Sequence, residues 1–338
     1  MRALVTGGGG FVGSALVAAL LERGHAVRVL ARGDYPALRA MGAETVRGDI
    51  TEPKTVLPAC AGIDVIFHVA ARVGYHGPAQ EYEATNIDGT KNLLDACRAH
   101  GIGRFVFTST PSVVHSRAGN EGTDESTPYP SSFPADYPRT KAAAEDLVLR
   151  ADSRELRTVA LRPRGVWGPG DTQLLPRLVE WAKNGQLKRI GKGDPKQSFT
   201  YIDNAVEAHL LAEEVLRNDP NRIGGQAFFI TDGDPVGAWT MADLVLQAAG
   251  HRLPDKRVSL GAARMAAAVI EPLWNLFGVQ SEPRITAFKL DVLTKPCWFH
   301  ITRARDLLGY EPVVTREEGL RRLADWVAAG GLEPASGA

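Results

Sequence analysis

The chain reads as an α/β protein built on a doubly wound parallel sheet with a smaller C-terminal substrate domain. Three observations predict this. Short, nearly continuous apolar runs alternate with helical patterns through the first half, as strands buried on both faces must. A glycine-rich turn, TGGGGFVG (6–13), joins the first such run to the first helix. The chain has 338 residues, 44% of them hydrophobic, enough for one large or two modest domains with sizeable cores.

The elements follow in order. ALVT (3–6) predicts a strand and Val12 to Arg23 a helix. AVRVLA (26–31), TVRGD (45–49) and DVIFHVAA (64–71) are further strands, followed by a helix across Thr85 to His100 and a strand at RFVFTS (104–109). A helix starts near Tyr137, and RTVALR (157–162) is the next strand. Before that helix lies a polar loop, SRAGNEGTDESTPYPSSFPAD (116–136), with three prolines; loops of this length are usually functional. Beyond Trp167 the rhythm loosens. TYIDNAVEAHLLAEEVL (200–216) predicts a helix capped near Asp203, and QAFFIT (226–231) another strand. Residues 1–165 are thus expected to bind a dinucleotide, with about 200–231 returning to that unit, while 166–338 mainly bind substrate. The tail, 330–338, is expected to be disordered.

Composition narrows the function. Lys plus Arg and Asp plus Glu are both 39, so no overall field favours nucleic acid. Cys60, Cys97 and Cys297 are far apart without CxxC spacing and read as buried thiols of a cytoplasmic protein. Residues 3–21 carry no charge, but five glycines interrupt them, so neither a signal peptide nor a membrane span is expected. The histidines show no HxxxH or HExxH spacing and no GxSxG elbow exists, so no metal is expected. His115 reads as structural.

The motif GxxGxxG falls at Gly7, Gly10 and Gly13, after a strand and opening a helix. Glycine lets the backbone turn tightly and approach a pyrophosphate, and the helix N-terminus favours anionic charge. The second strand ends Leu30, Ala31, Arg32, Gly33, where NAD-binding proteins usually carry a carboxylate. Arg32 can pair with a 2′-phosphate, which points to NADP(H); Asp34 keeps NAD(H) open. Asp49 and Ile50, ending the third strand, would border the adenine, although Asp49 could equally cap a turn. Phe11, Val12, Ala70 and Ala71 complete the expected cofactor contacts on the first helix and after the fourth strand.

YPRTK places Tyr137 and Lys141 four apart, on one helical face. With the glycine turn, it resembles the short-chain dehydrogenase/reductase superfamily, whose YxxxK and TGxxGxxG motifs it matches at Tyr137, Lys141, Thr6, Gly7, Gly10 and Gly13. The resemblance implies a Rossmann fold of the extended type. It also implies that Tyr137 donates the proton that a reduced carbonyl oxygen needs, while Lys141 tunes that phenol and holds the nicotinamide ribose. A hydroxyl after the fifth strand would bind the substrate oxygen: Thr110 in FVFTSTPSVVH (105–115), with Ser109 in reserve. Asn86 matches an asparagine thought to hold a structural water, and an ordinary polar helix residue remains an equal reading. LRPRGVWGPGD (161–171) is similar to the RPxxVYGP turn of extended members, so Pro163, Gly165 and Val166 would lie beside the nicotinamide. Arg162 and Arg164 could meet an anionic substrate group or simply pair with surface carboxylates.

ARGDYPAL, TSTPSVVH and KPCWFHITRARDLLGY further resemble the 3β-hydroxysteroid dehydrogenase-like branch. That likeness implies NADPH-dependent reduction of the 3-keto group of a long-chain 2-alkyl-3-oxoalkanoate to the 3-hydroxy acid. A β-lactone-forming partner would consume the product. A 3β-hydroxysteroid-type dehydrogenase is the alternative; a sugar-nucleotide epimerase or dehydratase and a non-enzymatic NADP(H) sensor rank lower. Residues 258–281, VSLGAARMAAAVIEPLWNLFGVQS, are mostly apolar, and Pro272 is expected to divide them into two short helices. They could wall an apolar pocket, form core, join copies into a homodimer or rest peripherally on a membrane.

Overall fold

A computed structural model describes residues 1–74, 76–172, 174–277, 279, 283 and 285–332, without the side chains of 275 and 276. The expectation for the tail concerns mostly residues outside this range. Seven strands form the main sheet: β1 (Arg2–Thr6), β2 (Ala26–Ala31), β3 (Glu44–Arg47), β4 (Val65–His68), β5 (Arg104–Thr108), β6 (Arg157–Pro163) and β7 (Gln226–Ile230). Their order is 3-2-1-4-5-6-7, with every pair parallel. This is the doubly wound Rossmann arrangement. The sequence order reverses at β1, flanked by β2 and β4, and ligands of such sheets sit outside the strand carboxyl ends at that point.

Strand alternation divides the core between the two faces. Ala3 and Val5 point to one side, where they meet Leu16, Val17 and Leu20 of α1 (Phe11–Glu22) and Val206 and Leu210 of a later helix. Leu4 points to the other side, with Leu93 and Leu94 of α2 (Gly89–His100) and Ala144 and Val148 of α3 (Asp136–Arg150). Most strand residues are fully buried, which explains the unbroken apolar runs. The later helix is α4 (Ile202–Asn218).

Several elements differ from the sequence expectation. The third strand stops at Arg47, so Asp49 and Ile50 lie in the turn beyond it. Asp203 does not cap α4: it sits in the first turn and pairs with Arg322, while Tyr201 occupies the cap position without a side-chain cap. The loop 116–136 contains a short strand, Asn120–Thr123, paired in parallel with Cys297–Phe299. Its sequence, NEGT, has little β propensity; the partner strand, almost 180 residues away, supplies the ladder. Pro272 does not divide the apolar segment, because one helix, α5 (Leu260–Leu276), runs through it. Cys60 and Cys97 are buried, but Cys297 is only half-buried. No described helix is long and apolar enough to cross a membrane.

Beyond the main sheet, Trp167, Leu175, Val179, Trp239, Leu246 and Leu323 form a separate apolar cluster. Phe11 and Val12 pack against it, so the start of α1 touches both the glycine turn and the C-terminal half.

A buried ion pair ties α3 to β6 and to the proline-bearing loop. Arg162 Nη2 donates to Glu145 Oε1 at 2.6 Å and Nε to Oε2 at 3.0 Å, while the Tyr129 hydroxyl donates to Oε1 at 2.6 Å. Glu145 is fully buried and Arg162 is 4% exposed. Glu145→Leu, which leaves the guanidinium buried without its partner, is expected to lower unfolding stability by roughly 3 to 5 kcal/mol, read from denaturant titration.

Candidate active site

The site is assembled at the carboxyl ends of β1, β4, β5 and β6. Gly7 follows β1 with φ 71°, and a Cβ there would lie 2.7 Å from the backbone nitrogen of Ala70, after β4. A Cβ at Gly13 would lie 2.1 Å from the Gly7 carbonyl oxygen. Only glycine permits these approaches. Gly10 caps α1 without a side-chain bond, and the first helical hydrogen bond runs from Ser14 N to Gly10 O at 2.8 Å. The amides of Phe11, Val12 and Gly13 therefore precede the first intrahelical bond, and they carry the positive end of the helix dipole. The donor set and the open cradle fit a dinucleotide pyrophosphate.

Around the rim, Arg32 is exposed. Asp34, the acid that kept NAD(H) open, is engaged by Arg39, and that hydrogen bond above all holds its carboxyl below the usual range. The Tyr35 ring lies over the glycine turn, 2.1 Å from where a Gly9 Cβ would stand. Sequence reasoning missed Tyr35 and Arg39, whose only signal was proximity to Arg32. Asp49 Oδ1 accepts from Thr51 N at 2.9 Å, a turn cap. The Ile50 carbonyl accepts from Asn92 Nδ2 at 2.9 Å.

Behind the cradle, a buried hydrogen-bond chain joins β1 to β4. Ala70 N donates to Thr6 Oγ1 (3.2 Å), and Thr90 Oγ1 donates to Asn86 O (2.6 Å). His68 Nδ1 lies 2.7 Å from Thr6 Oγ1 and Nε2 lies 2.9 Å from Thr90 Oγ1. With the Thr90 proton committed to Asn86, His68 must donate through Nε2 and accept at Nδ1. Burial, with a smaller push from Lys141, lowers its pKa well below the ordinary value and keeps it neutral. Asn86 is saturated: Oδ1 accepts from Arg72 N (2.8 Å), and Nδ2 donates to Arg72 O (3.2 Å) and Thr140 Oγ1 (3.0 Å). It pins the segment after β4 to α3.

α3 begins at Asp136, so Pro138 lies in its first turn and Tyr137 and Lys141 share a face. Tyr137 is half-buried, while Lys141 is 2% exposed. Lys141 Nζ donates to the Thr108 carbonyl at 2.7 Å and stands 3.9 Å from the Phe107 ring centre. Burial lowers its pKa from 10.5 to about 7, against the pull of Glu145. Thr110 caps the turn Pro111–Val114, its hydroxyl accepting from Ser112 N at 3.2 Å and donating to Ser112 Oγ at 3.2 Å. The Ser109 hydroxyl is buried with no partner among the described residues.

Pro163 ends β6, and Gly165, with φ 54°, turns the chain beneath Phe199 into Val166. Arg162 is committed to Glu145, a buried carboxylate, and Arg164 donates to Gln197 Oε1 at 2.6 Å. A cavity of about 630 Å³ opens beside the start of α3, lined by Ala135 and Asp136, His76, Tyr82 and, from α5, Ala268 and Pro272. The helix continues through Pro272 although proline has no amide to bond the Ala268 carbonyl, and both residues line that cavity.

Residues 4–260 match the 3-beta hydroxysteroid dehydrogenase/isomerase family. The chain belongs to this family. It is therefore an oxidoreductase of the short-chain dehydrogenase type, a family that uses nicotinamide cofactors. It is 47% identical to a 2-alkyl-3-oxoalkanoate reductase of Stenotrophomonas maltophilia over 96% of this chain and 98% of the other. It is 37% identical to a 3-beta-hydroxysteroid dehydrogenase of Mycolicibacterium neoaurum, over 99% and 95% respectively. Among solved structures, MoeE5 in complex with UDP-glucose and NAD is similar at TM-score 0.75 and 25% identity, covering 98% of this chain and 99% of that one.

Lys141 is a buried amine. Its folded pKa, about 7, lies below the 10.5 of an exposed lysine, so the unfolded chain holds the extra proton between these values and stability rises with pH across that window. Below about pH 7 the burial penalty is present in full. The melting-temperature advantage of Lys141→Met over the wild type is therefore expected to be largest near pH 7 and to narrow towards pH 10.5 in thermal scans. Parallel curves would show that Lys141 does not titrate on unfolding.

Proposed function

We propose that this chain is an NADPH-dependent reductase that converts the 3-keto group of a long-chain 2-alkyl-3-oxoalkanoate to the 3-hydroxy acid. The 47% identity to such a reductase along almost the whole chain is the observation that carries the substrate class. The cavity of about 630 Å³ beside the start of α3, walled on one side by α5, is large enough for a ketone with long alkyl chains. Arg32 without a neighbouring free carboxylate, since Arg39 engages Asp34, supports NADPH over NADH.

In this reading the phosphates rest on the amides of Phe11, Val12 and Gly13, and Arg32 meets the 2′-phosphate. Asp49, Ile50, Ala70 and Ala71 would border the adenosine side, and Pro163, Gly165 and Val166 the nicotinamide side. When bound, the reduced nicotinamide supplies a hydride to the carbonyl carbon. The hydroxyls of Thr110 and Ser109 hold the carbonyl oxygen, and Tyr137 Oη gives it a proton. The Lys141 ammonium, one turn along α3, favours the tyrosinate left behind. The product carries a β-hydroxyl and a carboxylate, the two groups a β-lactone-forming partner needs. Free thiols at Cys60, Cys97 and Cys297 suit a reducing cytoplasm.

The reading is tested by following NADPH oxidation against 2-alkyl-3-oxoalkanoates, 3-ketosteroids and UDP-sugars. Activity is expected with the first; activity with steroids alone would favour the hydroxysteroid dehydrogenase reading, and activity with sugars alone would reject both. Tyr137→Phe should lower kcat by roughly 10²- to 10⁴-fold with NADPH binding retained. Arg32→Ala should weaken NADPH binding about 10- to 100-fold and leave NADH binding nearly unchanged, as isothermal titration would show.

A further inference from the structure

Helix α5 buries one face and exposes another. Ala263 and Ala267 pack on Ile190, Val258 and Leu290. On the outer side, Met265 is 69% exposed, Val269 59% and Leu273 42%, and Phe277, one residue past the helix, is 73% exposed. The spacing of four aligns these side chains into a stripe about 18 Å long. Arg264 and Glu271 are the only charged residues on the helix. Isolated exposed apolar residues need no explanation, but three in a row on one helix with a fourth just past its end do.

The flanking charge says what the stripe meets. The helix rests on a two-stranded ribbon in which Arg257 and Val258 pair in parallel with Arg189 and Ile190. Arginine thus stands directly beside arginine, a destabilising juxtaposition unless something anionic compensates it. Residues 183–192 and 252–264, which carry this ribbon, hold eight Lys or Arg and one acid, Asp255. The two segments are close, since Lys256 Nζ lies 3.9 Å from a Cβ position on Gly185. None of the eight forms an ion pair among the described residues, whereas most arginines elsewhere do. In a chain whose net charge is zero, this is a local excess of uncompensated cations at the N-terminal end of an apolar helix face.

We propose that the outer face of α5 and the cationic ribbon beside it form a docking surface for an anionic lipid bilayer. The apolar side chains enter the boundary between headgroups and acyl chains, and the lysines and arginines meet the phosphates. The helix is too short to span, so it lies in the interface. Ala268 and Pro272 of the same helix, both exposed, line the cavity beside α3, so the docked face and the cavity share one helix.

Flotation of the full chain with vesicles tests this. Vesicles of phosphatidylcholine with about 30% phosphatidylglycerol should carry the protein at low salt, vesicles of phosphatidylcholine alone should carry it at least ~10-fold less, and raising salt should release it. Met265→Glu with Val269→Glu, and separately Lys188→Glu with Arg257→Glu, should each reduce binding about 10-fold or more, with circular dichroism and melting temperature unchanged. All four positions are surface residues, so these variants are expected to fold. The absence of flotation, or flotation that survives either double substitution, overturns the proposal. So does a change of mass in light scattering without lipid for Met265→Glu with Val269→Glu, since that marks an interface with another protein chain.

Discussion

The candidate-site end of the molecule depends on the burial of one lysine amine. Lys141 stays inside the protein because the Thr108 carbonyl accepts its hydrogen bond and the Phe107 ring presents its face. Both partners belong to β5, so the contact fixes α3 against the end of that strand. Ser109 and Thr110 follow on the strand side and Tyr137 lies one turn back on the helix side. Glu145, one turn further along, takes Arg162 of β6 and Tyr129 of the proline-bearing loop. Positions 141 and 145 thus form two successive polar anchors on one face of α3, one and two turns beyond Tyr137.

The glycine-turn side rests on a different kind of constraint, the absence of side chains. Gly7 and Gly13 let α1 and the segment after β4 close on the β1 turn to distances that no Cβ tolerates. The chain Ala70, Thr6, His68, Thr90, Asn86 then locks β1, β4 and the start of α2 with every donor matched to an acceptor. A neutral histidine is required, because the imidazolium would offer Thr6 a donor where an acceptor is needed. Buried polar networks of this sort are stable only when complete.

Electrostatics illustrate how a total can hide its distribution. Equal numbers of acids and bases argue against a field over the whole surface, and that argument holds for polyanions that need an extended basic face. It does not exclude a local excess. Long-range folding brings two basic segments, around 183–192 and 252–264, into one ribbon while the compensating acids lie elsewhere.

The main sheet was legible in the sequence because strands buried on both faces must be continuously apolar, and because glycines at fixed spacing after a strand have few other uses. The shared face of Tyr137 and Lys141 was legible for the same reason: helical periodicity is local. What the sequence could not decide depended on partners far along the chain. NEGT became a strand only because Cys297–Phe299 lies beside it, and Asp203 lost its expected capping role to Arg322. Arg162 turned inward because Glu145 faces it from α3, and Asp34 was drawn away by Arg39. Pro272 lies within a helix that its sequence alone predicted it would divide. Local pattern marked the candidate site residues; only packing across the sheet decided which of their polar groups are already satisfied, because a hydrogen-bond partner is set by proximity in space and not by distance along the chain.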